Sequence, residues 1–266
     1  MAGLFSQSHS GDQSPVMWSP ANGQPLLTVI IPVYNEVKTL NALLHRVVAI
    51  PIDKQIVVID DGSTDGSGDI LSNWPSSNNM LVLSDTTNRG KGYAVRTGLQ
   101  RALGAYTIVQ DADLEYDPQD IVKLLDVLQS RSADVVLGSR YLGSRNAQVG
   151  RLYRLGVGLL NALVKLLYHV TLTDAATCYK TAPTSTFRRM DLQCERFEIC
   201  SEFIAKACRM RLRIQEVAIS YYPRTAKEGK KLRLRDGWAA ALALWRWRRW
   251  SEEQTRAAPA PSENAP

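Results

Sequence analysis

The sequence is short of the residues that usually anchor a metal centre or a disulfide framework. Its four cysteines, Cys178, Cys194, Cys200 and Cys208, include no CxxC pair, and no histidine stands near them at metal-ligand spacing. That excludes a zinc ribbon and a disulfide-built scaffold, and fits free thiols in a reducing compartment. The three histidines are scattered; His45 and His169 fall inside apolar helical patterns and read as packed or surface side chains. No GxxxxGK followed by Ser or Thr occurs, and no GxGxxG, so neither common glycine motif for nucleotides is present. No run of about 18 apolar residues exists to span a bilayer, and no repeat marks a solenoid. The first 25 residues have neither the basic start nor the apolar core of a secretory signal. They are rich in Ser, Gln, Gly and Pro and read as disordered, as do residues 251–266.

What is present is ordinary for a globular protein: 266 residues, 45% hydrophobic and 22% charged, enough for one large domain, or at most two small ones, with a real core. The charge is uneven. Residues 224–250 hold nine Lys or Arg against two acids, a local net charge of +7 within a chain total of +6. A basic end on a near-neutral body points to an anionic partner there.

Short branched apolar runs recur at 26–33, 55–60, 80–84, 105–110 and 133–138, each of strand length. Helical periodicity lies between them: Leu40, Leu43, Leu44, Val47 and Val48, then Ala94, Val95, Leu99 and Leu103, then Ile121, Leu124, Leu125 and Leu128. The alternation predicts an α/β fold, a mostly parallel central sheet with helices on both faces. Ligands of such sheets bind beyond the carboxyl ends of the strands. The polar residues to inspect are therefore Tyr34-Asn35-Glu36, Asp60-Asp61-Gly62-Ser63, Asn88-Arg89-Gly90-Lys91-Gly92, Asp111-Ala112-Asp113 and Ser139-Arg140.

The stretch VVIDDGSTDGSGDI, residues 57–70, looks like the start of a calcium loop. It fails as one: Ser72 stands where the bidentate Glu should be, and a strand precedes it. Asp65 reads as a cap for the following helix. In VQDADLEYDP, Asp111 and Asp113 are two apart, so an extended backbone points both carboxylates one way, toward one hard cation. Magnesium or manganese held in this manner keeps positions open for substrate phosphates. The turn NRGKG, with Arg89 and Lys91, could approach those phosphates.

The set IPVYNE, VVIDDGSTDGS, NRGKGYAVRTG, QDADLEYDP and GSRY, in this order, resembles a family 2 glycosyltransferase with the GT-A fold. Within that family the chain is most similar to the polyprenyl-phosphate sugar transferases, the group containing dolichyl-phosphate mannose synthase and dolichyl-phosphate glucosyltransferase. The likeness covers about residues 26–235. It implies a GT-A domain over 26–231 and a nucleotide-diphosphate sugar as donor. By the same resemblance Pro32, Tyr34, Glu36 and Asp61 match positions that hold nucleobase and ribose, and Lys91 and Asp111 match positions near ribose and phosphates. Asp113 matches the main ligand of the divalent metal, Mg2+ or Mn2+. Glu115 stands where close relatives often carry Gln. Arg140, Arg224 and Lys231 match basic residues around the donor diphosphate and the acceptor phosphate, and Asp174 lies in a segment placed near the sugar.

Such a transfer inverts the anomeric centre by single displacement. Negative charge builds on the leaving diphosphate, which the metal on Asp113 and a cation such as Arg224 would stabilise. A phosphate monoester acceptor is already an anion; a hydroxyl acceptor needs a base. Glu198 and Glu202, four apart in RFEICSEF, are the candidate bases, or else partners for Arg140, Arg151 or Arg154, the last two being further candidates for the acceptor phosphate. Two segments bear on lipid. GRLYRLGVGLLNALVKLLYHV (150–170) reads either as a helix packed on the sheet or as an interfacial one. LRLRDGWAAALALWRWRRW (232–250), with four Trp among arginines, reads as an amphipathic helix lying in a bilayer interface, in preference to a coat helix whose Trp side chains pack on the domain. The expectation is a hexosyltransferase peripheral to the cytoplasmic face of a membrane, in contact with polyprenyl phosphate or a membrane-protein partner. Two alternatives stand: a transferase acting on a glycan or small-molecule hydroxyl, and a basic Trp-rich nucleic-acid binder, in which the Asp clusters would have no role.

Overall fold

The computed structural model describes residues 23–77, 79–142, 151–224 and 234–253. The expectations for residues 1–22, for 254–266 and for Lys231 lie outside the described residues. So does the side chain of Arg151.

Strands β1 (Leu27–Val33), β2 (Lys54–Asp61), β3 (Met80–Asp85), β4 (Tyr106–Val109) and β5 (Val135–Ser139) coincide with the branched apolar runs. Two further strands, β6 (Lys180–Pro183) and β7 (Ile214–Ala218), complete a seven-stranded sheet of order β3-β2-β1-β4-β6-β5-β7. Its neighbours are parallel except where β6 runs antiparallel to both β4 and β5. The helices are α1 (Leu40–Val48), α2 (Ser67–Ser72), α3 (Lys91–Arg101), α4 (Asp120–Gln129), α5 (Arg151–Tyr168), α6 (Thr184–Met190), α7 (Ile199–Arg209) and α8 (Leu234–Trp247).

The two-residue period of the strands divides the core. Ile30, Val57, Ile59 and Leu137 pack on one face with residues of α3, α7 and α8. Their strand neighbours Val29, Ile31, Val58 and Val136 pack on the other with residues of α1 and α4. Both faces are covered, so the strands read as unbroken Val and Ile runs. Burying each such side chain contributes about 1.5–3 kcal/mol.

Parallel register fixes the site edge. Val33 of β1 pairs with Asp60 of β2, and Asp61 with Asp85 of β3. Ile30 pairs with Val109, so the chain leaving β4 delivers Asp111 and Asp113 beside the end of β1. The segments 34–36, 60–63 and 111–113 thus gather at one edge.

Helices α5 and α8 pack on each other, and each is two-sided. On α5, Val157 and Val164 are buried, while Leu155, Leu159 and Leu166 are exposed. On α8, Ala243, Leu244 and Trp247 are buried, as is Trp250 just beyond; Trp238 (74% exposed), Leu242 and Trp245 face outward. The α5 helix is therefore packed on one side and presents apolar side chains on the other. In α8 the tryptophans divide between core and surface. Among the described residues, no helix is long and apolar enough to cross a membrane.

Candidate active site

The end of β2 organises the glycine-rich turn. Asp61, buried, accepts from the backbone N–H groups of Arg89 (2.8 Å) and Gly90 (2.7 Å) and from Asn88 Nδ2 (2.9 Å). Burial pushes its carboxyl up, against those hydrogen bonds. Asp65 accepts from Ser67 N and Val37 N, each at 3.0 Å, so it serves the first turn of α2 and ties it to the loop before α1. Asn35 is left-handed (φ 51°), a conformation Asn tolerates, and its side chain accepts from Thr64 N at 2.8 Å. Pro32 and Tyr34 are half-buried beside it.

Gly90 and Gly92 make room for a neighbouring segment. A Cβ on Gly90, which sits at φ 109°, would lie 2.6 Å from the Glu195 carbonyl oxygen, and one on Gly92 would overlap the Cys194 carbonyl. Only glycine lets the 194–195 backbone lie on this turn. Lys91, first residue of α3, pairs with Asp111 Oδ1 and donates to Cys178 Sγ at 2.9 Å. Burial alone would pull its ammonium down; the Asp111 charge prevails and holds it well above the lysine range. The same pairing overrides burial at Asp111 and lowers its carboxyl.

Asp113 has the opposite environment. Burial, together with the charges of Asp111 and Glu115, pushes its carboxyl up to about 7. Among the described residues no cluster of three metal-ligating side chains forms a ready cage. The donor set instead suits a hard cation held by one or two carboxylates and completed by phosphate oxygens, since a cation would relieve the crowding at Asp113. With Asp111 Oδ1 engaged by Lys91, Asp113 is the better placed of the two.

Arg224 ties the cleft together. Its Nη2 donates to Glu36 Oε2 at 2.6 Å, its Nε to the Asp113 carbonyl at 2.8 Å, and its backbone N–H to Glu115 Oε1 at 2.9 Å. Glu115 also accepts from the Tyr221 hydroxyl at 3.1 Å. The residue that departs from the family pattern thus clamps the 221–224 segment.

Two of the expected site residues lie in buried ion pairs. Arg140 was expected to meet a phosphate. It is 2% exposed, and Nε and Nη2 each lie 2.7 Å from the Asp174 carboxylate, while Nη1 donates to the Tyr153 hydroxyl at 2.8 Å. The rings of Tyr116, Tyr141, Tyr153 and Tyr221 surround it. This pair is built into the core, and Asp174 with it. Glu202 was one of two candidate bases, or else a partner for an arginine; its cation is a lysine. It is fully buried, accepts from Gln193 N (2.9 Å) and Cys194 N (2.7 Å), and pairs with Lys206 Nζ at 2.6 Å. A carboxylate so engaged presents no face to a substrate hydroxyl. Glu198, half-buried, precedes α7 and accepts from Arg196 N at 3.3 Å. Arg154 is exposed, over the Tyr141 ring.

Sequence reasoning missed Cys178 under Lys91, the tyrosine cage and Lys206. Only the last left a readable signal, its i,i+4 spacing from Glu202.

A GT-A glycosyltransferase is what this sheet and its edge define. The sequence model described as "Glycosyl transferase family 2" matches residues 28–194, and the chain belongs to that family. It is 30% identical over 235 residues to the low-salt glycan biosynthesis hexosyltransferase Agl6 of Haloferax volcanii, covering 86% of this chain and 55% of that protein. It therefore spans little more than half the length of Agl6. It is 29% identical to the undecaprenyl-phosphate mannosyltransferase of Micrococcus luteus over 76% of this chain and 85% of that one. Among solved structures it resembles glucosyl-3-phosphoglycerate synthase of Mycobacterium tuberculosis, determined in complex with UDP. The TM-score is 0.63 at 18% identity, over 84% and 80% of the two chains. That likeness concerns the fold.

Proposed function

We propose that the chain is an inverting hexosyltransferase that moves a sugar from a nucleotide diphosphate to a polyprenyl phosphate at a membrane surface. In this reading Pro32, Tyr34, Glu36 and Asp61 lie along the nucleoside, directly or through the 88–90 turn. Lys91 and Arg224 neutralise the diphosphate, and Asp113, with Asp111 beside it, would hold a divalent cation. That cation, Mg2+ or Mn2+, would supply Lewis-acid stabilisation of the leaving group. Both arginine and lysine begin in ion pairs with carboxylates of the cleft, so the site is pre-formed around charge.

The observation that carries the acceptor is the exposed Trp238-Leu242-Trp245 stripe of α8 with Arg248 against Trp245 (3.7 Å to the ring). Indoles at headgroup depth with arginines on anionic phosphates are the chemistry of an interfacial helix. Leu155, Leu159 and Leu166 on the adjoining α5 extend the apolar surface. A phosphate monoester needs no proton removed, which suits a site whose Glu202 is engaged by Lys206. Arg154 is the exposed cation on the described part of α5's first turn and is assigned to the acceptor phosphate. The named relative from Micrococcus luteus supports the acceptor class.

The test is release of nucleoside diphosphate from GDP-mannose or UDP-glucose with Mn2+ present. Adding polyprenyl phosphate in detergent accelerates release at least tenfold for one donor. Equal acceleration by a water-soluble sugar hydroxyl, and none by the lipid phosphate, contradicts the reading.

A further inference from the structure

We propose that Glu202 and Lys206 are positioning residues that couple the seating of α8 to the NRGKG turn carrying Lys91. The inference rests on the reading above only in taking that turn as the donor-phosphate site.

The contacts form one buried series. The Trp247 and Trp250 rings lie on the Lys206 ammonium, 4.0 and 5.1 Å from their centroids. Lys206 Nζ pairs with Glu202 Oε1 at 2.6 Å and donates to the Asp191 carbonyl at 2.7 Å. Glu202 in turn holds the backbone N–H groups of Gln193 and Cys194. The next two carbonyls, of Cys194 and Glu195, lie against Gly92 and Gly90, and Glu195 O accepts from Tyr93 N at 2.9 Å. Arg96 Nη1 donates to the Gln193 carbonyl at 3.0 Å, a second tie between α3 and the same segment. Lys91 sits between the two glycines.

A merely structural ion pair would end at the core. This one has an indole helix with an exposed stripe on one side and a glycine turn with no steric slack on the other. Glu202 and Lys206 are both fully buried, so separating them is costly and a displaced Lys206 draws Glu202 with it. Glu202 cannot shift without moving the 193–195 backbone, which no side chain cushions from Gly90 and Gly92. The seating of α8 and the position of Lys91 are therefore two ends of one packed element.

The test uses the full chain. The charge-neutral pair Glu202→Gln with Lys206→Met removes both buried charges together, and Trp250→Leu is a milder second variant should the first fail to fold. Circular dichroism and a cooperative melt establish folding. Amide hydrogen exchange of residues 90–94, measured without ligand, is expected to rise in every folded variant. The KM for the nucleotide sugar rises about five- to tenfold in the double variant, with kcat within about twofold. Folded variants with wild-type exchange at 90–94 overturn the proposal. Raised exchange with an unchanged donor KM upholds the coupling and instead removes Lys91 from the donor site, so the two readings fail separately.

Discussion

Arg224 reaches back across 188 residues to place Nη2 2.6 Å from Glu36 Oε2. The contact joins the loop after β1, expected at the nucleoside, to the cation expected at the diphosphate. The same guanidinium holds the carbonyl of Asp113, so one side chain sets the width of the cleft at its charged end.

Arg224→Ala should therefore lower kcat by about 10²- to 10³-fold, the usual cost of removing one donor aimed at developing negative charge. Steady-state kinetics with the cognate nucleotide sugar checks this. Arg224→Lys keeps a charge without the fork and should recover only part of the loss.

Metal binding should depend on pH through Asp113. Its folded carboxyl is raised to about 7 from an ordinary 3.8. The folded state thus holds that proton more tightly than the unfolded chain. The stability Asp113 contributes is complete below pH 3.8 and is lost as pH rises through 7. Without metal, this group makes the protein less stable at pH 8 than at pH 5. A cation takes the place of the proton, so apparent Mn2+ affinity should rise roughly tenfold per pH unit below 7 and level off above it. Calorimetric titration at pH 6, 7 and 8 reads the slope, which Asp113→Asn abolishes.

The Arg140–Asp174 pair should behave as a core element. Removing one partner strands a buried charge, and Arg140→Met or Asp174→Asn alone should cost about 3–5 kcal/mol, while the double variant recovers most of it. A double-mutant cycle by chemical denaturation measures the recovery.

The four tryptophans of 238–250 should separate into two classes. Trp238→Ala and Trp245→Ala should leave the melting temperature within a degree or two, as surface substitutions do, yet weaken binding to anionic vesicles. Trp247→Ala should cost about 3–5 kcal/mol of stability. Vesicle co-sedimentation beside thermal melts distinguishes them.

Five strands and the helices between them were legible because apolar runs on a doubly covered sheet need no tertiary information. The strands β6, KTAP, and β7, IQEVA, were not: one is four residues long and the other only partly buried, so neither carries an unbroken apolar signal. The reversal of β6 between β4 and β5 is a matter of topology that no local pattern records. At the site, the carboxylates leaving β2 and β4 were readable because strand ends converge by rule. The ion pairs of Arg140 and Glu202 were not legible, for the opposite reason. Their roles depend on partners brought by other elements, Asp174 before β6 and the 193–194 backbone before α7, and on burial that a charged residue does not advertise in sequence. The NRGKG glycines were taken as room for phosphate; they also make room for Cys194 and Glu195.

The central claim is metal-assisted sugar transfer to a lipid phosphate, and labelled transfer tests it most directly. Radiolabelled GDP-mannose and UDP-glucose are each incubated with polyprenyl phosphate in detergent, with Mn2+, Mg2+ or chelator, and the organic phase is counted. The account predicts lipid-borne label from one donor, lost with chelator and in Asp113→Asn. Metal-dependent donor hydrolysis by the wild-type chain with no label in the lipid, for either donor, would contradict it.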